Sequence, residues 1–184
     1  MSLWRWLSPL GKKPEDCPFC ILASAPPESC GSKVLFQDEE IVVLVDRNPS
    51  AYRHYLVIPT NHIKTVKDLR PGEEDYSLEC ISYLCYLVLA VSHMYKLGKS
   101  TLLHDAPDAA KYRFGFHRPP FNSVDHLHLH CTALPYKSVW RRLKYVSVGW
   151  LGAYVSVEHV LQYLDTNKDT KTGVPLGDEP ELHV

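Results

Sequence analysis

Three histidines occupy alternate positions in His126-Leu127-His128-Leu129-His130, and two cysteines bracket a dipeptide in Cys17-Pro18-Phe19-Cys20. A neutral imidazole serves as a metal ligand, or as a nucleophile and proton carrier near neutral pH. On a strand, alternate side chains share a face, so the three histidines line one side while Leu127 and Leu129 enter the core. Both kinds of chemistry fit that arrangement, and the spacing alone leaves the choice open. The CxxC pair is likewise half of a tetrahedral zinc site or a redox pair.

Such residues need a scaffold, and the composition supplies one. The chain has 184 residues, 45% hydrophobic and 22% charged, which is ordinary globular usage and enough apolar material for one domain. Disordered, collagen-like and fibrous classes are excluded. Lys plus Arg (20) nearly cancels Asp plus Glu (21), so no strong basic field exists to hold a long nucleic acid. Six cysteines in a chain that needs no staples point to a reducing compartment, cytoplasmic or nuclear. The N-terminal MSLWRWLSPLGKK carries Arg5 inside its short apolar stretch, which argues against a secretory signal. The most apolar run, 81–91, is about half the length a membrane span needs and reads as a buried helix.

Residues 1–16 read as an irregular arm whose Trp4, Trp6 and Leu7 pack back on the domain. Strands are expected at 34–36, 41–45 and 55–58, the last closed by Pro59, whose missing N–H suits a strand end. From Pro71 the periodicity turns helical, with apolar residues at 78, 81, 84, 85, 88 and 91 and an end at Gly98. Two further strands, 113–117 and 125–132, precede a short helix at 157–164, and residues 165–184 read as a flexible tail. Short links between strands predict an antiparallel α+β fold of about five strands, with a domain spanning 17–164.

Three separated blocks carry a resemblance. HLHLH preceded by Asn122-Ser123-Val124-Asp125 resembles the signature of the histidine triad family, and RHYLVIPTNHI (53–63) resembles its second block. FGFHRPPFNSVDHLHLH with ALPY (133–136) is most similar to the third Hint-type branch. The stretch from Lys144 to Gly152 is similar to the plant adenylylsulfatase-like members of that branch. Cys131-Thr132 departs from the two apolar residues usual after the last histidine.

The resemblance implies the histidine triad fold and a hydrolase or transferase acting at the α-phosphorus of small adenylylated substrates, as an adenosine phosphoramidase or adenylylsulfatase. His128 is implied as the nucleophile that becomes adenylylated, and the chemistry agrees, since a neutral imidazole attacks phosphorus and the phosphoramidate formed is labile to water. His130, His126, His54 and Ser123 are implied as its catalytic partners. Asp46 is implied as the ribose ligand. Phe19, Leu22 and Leu44 are implied around the base, and Asn122, Ser123 and His130 near the phosphate. Relatives keeping the CxxC bind structural zinc with the later histidine of the second block and the first of the triad, here Cys17, Cys20, His62 and His126. No catalytic metal is implied. A two-fold homodimer through the long helix is implied as well.

Two other readings compete: an aprataxin-like removal of adenylate from DNA ends, disfavoured by the charge balance, and a nucleotide-binding sensor or scaffold with little turnover. Trp140, Arg141, Arg142 and Lys144 form a basic-aromatic cluster after the triad. It either approaches a leaving group such as sulfate or is a solvated loop.

Overall fold

A computed structural model of the chain describes residues 15–26, 31–69, 78–146 and 152–169. Residues 1–14 of the expected arm, and the tail beyond 169, lie outside the described residues. Helix α1 (Pro18–Ser24) is followed by strands β1 (Val34–Gln37), β2 (Ile41–Val45) and β3 (Ala51–Pro59), then a 3₁₀ turn (Val66–Asp68). Helix α2 (Leu78–Asp105), strands β4 (Tyr112–His117) and β5 (Leu129–Tyr136), helix α3 (Val139–Leu143), strand β6 (Tyr154–Ser156) and helix α4 (Val157–Asp169) complete the order. The fold is α+β, with a six-stranded sheet in the order β1-β2-β3-β5-β4-β6 and every neighbouring pair antiparallel. Among the described residues no helix is long and apolar enough to cross a membrane.

The alternation of strand side chains divides the sheet into two apolar faces. Ile41, Val43, Tyr55, Val57, Leu129, Cys131 and Ala133 join a large cluster with Leu87, Val91, Met94 and Leu102 of α2 and Val160 and Leu164 of α4. Val42, Leu44, Leu56 and Ile58 project to the other face and form a smaller cluster with Ala23 of α1. His54 is two residues before Leu56, and Leu56 pairs with His130 across the β3–β5 ladder, so the histidines share the face on which α1 packs.

Three expectations are corrected. The long helix runs through Gly98 to Asp105 rather than ending at the glycine. A Cβ at Gly98 would lie 2.4 Å from Sγ of Cys131 and 3.0 Å from Cγ2 of Val57, so this glycine lets α2 lie close on the sheet instead of capping it. The triad is only partly on a strand: β5 starts at Leu129, and His126 to His128 precede it outside the strand, where Leu127 N–H donates to the Ile63 carbonyl at 2.6 Å. The alternation nevertheless holds, with Leu127 and Leu129 both in the main core, and truncating either to Ala costs about 2–5 kcal/mol. The C-terminal helix, expected over 157–164, runs to Asp169, so residues 165–169 are helical rather than tail, while the antiparallel sheet holds as expected, with β6 paired to β4 as its sixth strand.

Candidate active site and metal centre

Backbone groups fix the protonation of each histidine, since a carbonyl only accepts and an amide N–H only donates. His128 Nδ1 is 2.6 Å from the carbonyl of His126, so Nδ1 carries the proton and Nε2 a lone pair. The amide of Ser50 donates to His54 Nδ1 at 3.1 Å, so the His54 proton is on Nε2, which donates to His130 Nδ1 at 2.8 Å. His130 therefore carries its proton on Nε2, a buried atom with no hydrogen-bond partner among the described residues. A buried donor without a partner costs about 1–3 kcal/mol, and an anionic oxygen beside it would satisfy it. The His128 and His130 rings lie 4.9 Å apart. The site thus presents a nucleophilic lone pair beside a donor that lacks an acceptor.

Burial keeps these rings neutral. Desolvation lowers His128 below the ordinary imidazole value, and burial with the neighbouring His128, His54 and His117 rings drives His130 well below it. His54 is pushed down to about 4 by burial, although the Asp46 carboxylate lies 3.2 Å from its Nδ1 and opposes the shift. Asp46 is held at the start of the β2–β3 turn, where its Oδ1 accepts the amide of Asn48 at 2.7 Å.

Sequence reasoning assigned no role to His117 or Tyr145, and both belong to the cluster. The His117 ring is 4.5 Å from that of His130, its Nδ1–H donates to the Ala153 carbonyl at 3.2 Å, and burial pushes it down to about 4. The Tyr145 hydroxyl lies 3.4 Å from His54 Nε2, with its ring 5.1 Å from His117. His117 was legible in principle: it follows Gly115 by two positions on β4, and Gly115 pairs with His130. Tyr145 had no comparable signal, because only the fold back from β5 through α3 brings it in.

The remaining expectations divide. The Phe19 ring meets His128 and His126 edge-on, with centroids 5.3 and 5.8 Å apart. Leu22 packs with Phe19 on the smaller cluster, and Leu44 is buried within that cluster. Asn122 directs its side-chain amide to the Val124 carbonyl and to Asp125 Oδ1. Ser123 is exposed on that loop.

A second cluster stands beside the first. Cys17 caps α1 and Cys20 is one turn on, which puts both sulfurs on one side of the helix. Sγ of Cys17 and Sγ of Cys20 are each 3.4 Å from His126 Nδ1, Sγ of Cys20 is 3.3 Å from His62 Nδ1, and the two Nδ1 atoms are 3.3 Å apart. Tetrahedral zinc, with bonds of about 2.3 Å to sulfur and 2.0–2.1 Å to nitrogen, requires edges of about 3.5 and 3.4 Å. The donor set therefore fits a closed four-ligand site. His126 Nε2–H donates to the Pro59 carbonyl at 2.9 Å, which frees Nδ1 as a ligand atom. Both ring nitrogens of His126 are thus engaged.

Comparisons with known proteins identify relatives of this chain. The family model for the scavenger mRNA decapping enzyme C-terminal binding region matches residues 16–83 and 86–145. A bifunctional adenosine 5'-phosphosulfate phosphorylase/adenylylsulfatase of Arabidopsis thaliana is 46% identical over 148 residues, covering 80% of this chain and 90% of that protein. An adenosine 5'-monophosphoramidase of Xenopus tropicalis is 36% identical over 119 residues, covering 64% and 67%. A solved histidine triad family hydrolase from Clostridium thermocellum shares the fold, with a TM-score of 0.51 at 23% identity over 68% of this chain and 96% of its own.

Proposed function

The chain belongs to the histidine triad family, in its Hint-type branch, and on that premise we propose that it hydrolyses small adenylylated substrates at the α-phosphorus through an adenylylated His128. The observation that carries this reading is the pairing of a lone pair on His128 Nε2 with the partnerless Nε2–H of buried His130.

His128 Nε2 attacks the α-phosphorus, an N–P bond forms, and the bond to the leaving group breaks with its electron pair departing on that group. His130 donates to a non-bridging phosphoryl oxygen, where negative charge accumulates. Water then attacks the phosphorus, the N–P bond breaks, and AMP leaves with His128 neutral again. Burial holds His128 in the neutral form the first step needs. The carboxylate of Asp46 faces the ribose hydroxyls, and Phe19 with Leu22 offers an apolar wall to the base. Adenylyl sulfate and adenosine phosphoramidate are the substrates supported by the activities of the two named relatives. Removal of adenylate from DNA ends calls for a basic footprint that a net charge of −1 does not provide.

Cys17, Cys20, His62 and His126 would hold a structural zinc ion, which stabilises the junction of α1 with the triad and supplies no open coordination position. The donor distances and the Nε2–H bond to Pro59 support that assignment. A two-fold dimer is supported by the exposure of Cys85 and Leu89 along α2, and sedimentation or light scattering of the purified protein tests it.

The function is tested by AMP release from adenylyl sulfate and adenosine phosphoramidate, beside a His128→Ala variant. Turnover in the parent protein, none in the variant, and acid-labile labelling of His128 in a single turnover are expected. AMP binding without turnover of either substrate would point to a nucleotide sensor instead.

A further inference from the structure

Helix α3 contributes to neither apolar cluster, yet three of its five residues are apolar. Val139 and Leu143 are four positions apart, and Trp140 and Leu143 three, so at 3.6 residues per turn they share one face. Val139 is 74% exposed, Trp140 80% and Leu143 54%. Side chains exposed to that degree make a ridge and not a groove. Arg141 leaves the opposite side of the helix, where its terminal nitrogens donate to the Asn48 carbonyl at 3.0 Å and to Asn48 Oδ1 at 2.6 Å. Tyr145, just past the C-cap, is buried against His54 and His117. The helix is thus held from behind, with its apolar ridge turned away from the turn that carries Asp46.

Cations border the ridge. Arg142 stands three residues from Val139, and Lys144, a C-cap with helical backbone angles, four from Trp140, so one positive group lies at each margin. Lys137 precedes the N-cap Ser138. From His126 to Val157 the chain contains no Asp or Glu. Lys137, Arg142 and Lys144 are exposed, and among the described residues none of them is in an ion pair. An apolar centre with a cationic rim complements a surface that is apolar beneath and anionic above. The amphipathic indole settles where hydrocarbon meets water, and ammonium and guanidinium groups pair with anionic headgroups. A nucleic acid would stack on Trp140 and meet the cations, but it offers no apolar surface matched to Val139 and Leu143.

We propose that α3 docks the protein on an anionic lipid surface, with Val139, Trp140 and Leu143 inserted among the headgroups and Lys137, Arg142 and Lys144 paired with lipid phosphates and carboxylates. The attachment is peripheral and reversible, because three apolar side chains on a helix this short reach only the boundary of the acyl region. It is independent of the adenylyl-transfer reading above.

The full chain is mixed with vesicles of phosphatidylcholine alone, and of phosphatidylcholine with about one-third phosphatidylserine, and the bound fraction is read by sedimentation. Binding to the anionic vesicles is expected to exceed that to the neutral ones at least tenfold and to weaken with added salt. Trp140→Ser with Leu143→Ser should lower it at least tenfold, and Arg142→Gln with Lys144→Gln at least fivefold. Leu103→Ser, at an exposed apolar position of α2, should stay within twofold of the parent. All the exchanged side chains are exposed, so each variant is expected to unfold at the parent temperature. Tryptophan emission should shift to the blue on anionic vesicles, and Trp140→Phe should remove most of that shift. No binding to anionic vesicles, equal binding to neutral ones, or binding that survives both double variants overturns the proposal. Capture of a single-stranded oligonucleotide that is lost in Trp140→Ser with Leu143→Ser, in a protein that binds no vesicles, assigns the ridge to nucleic acid and overturns it as well.

Discussion

The carbonyl oxygen of His126 accepts the Nδ1 proton of His128 at 2.6 Å, while His126 turns its own Nδ1 to Cys17, Cys20 and His62. One residue thus connects the metal-type cluster to the nucleophile, through its backbone on one side and its ring on the other. The carbonyl decides which nitrogen of His128 is free to attack.

Metal removal should therefore reach the active site indirectly. Purified protein is expected to contain about one zinc per chain, and Cys17→Ser to lose most of it. The variant should lower the melting temperature by several degrees, and kcat should fall while AMP still binds. Elemental analysis with thermal unfolding checks this, and full metal content in Cys17→Ser would refute the four-ligand site.

Replacing His128 by Ala removes the nitrogen proposed as nucleophile, and turnover should drop at least a thousandfold. His130→Ala keeps the nucleophile but loses the buried donor to the phosphoryl oxygen, so kcat should fall by about 10²–10³ with a smaller change in KM. Steady-state kinetics with both variants separates the roles, and equal, small losses would show that neither acts as assigned.

Activity should depend on pH in the direction set by burial. Because His128 is held below the ordinary imidazole value, the neutral nucleophile persists under mildly acidic conditions, and the acid limb of kcat/KM should lie below pH 6.5. A midpoint above 7 would contradict a desolvated nucleophile.

Stability follows the same logic. His54 titrates near 6.5 when unfolded but about 4 when folded, so between those values the unfolded state binds the extra proton. Its contribution is fully present above pH 6.5 and is lost as the pH falls toward 4, amounting to about 2 kcal/mol at pH 5 relative to pH 7.5. Urea unfolding at the two pH values, in the parent and in His54→Gln, reads this: the variant should lose that share of the slope.

Gly98→Ala tests the helix–sheet contact. Alanine is worth about 1 kcal/mol more than glycine inside a helix, but the added methyl would fall 2.4 Å from Cys131 Sγ. Net destabilisation of about 1–3 kcal/mol is expected. Combining it with Cys131→Ala should cost less than the sum of the two single changes. Strict additivity in chemical denaturation would show that the methyl meets something else.

Much of the fold could be read along the chain, because it is written in local periodicities. The β-branched run at 41–45 forms a strand as expected, and the alternation that sends Leu127 and Leu129 into the core holds. The boundaries that failed depended on distant partners. Gly98 signals a helix end when only its neighbours are considered, and becomes an interior residue once Cys131 and Val57 lie against it. β6 is three residues long and exists because β4 offers it an edge.

The site divides along the same line. By itself the sequence determined the chemical types: three alternating imidazoles, a CxxC pair, and a carboxylate in a turn, each with its reactive capacity built into the side chain. Only the tertiary structure decided which nitrogen of each ring holds the proton, since that depends on the carbonyls of His126, Pro59 and Ala153 and the amide of Ser50. It also decided that His117 and Tyr145 join the imidazole cluster. Tautomers, burial and neighbours arise between segments far apart in the chain, and spacing along one segment carries no record of them.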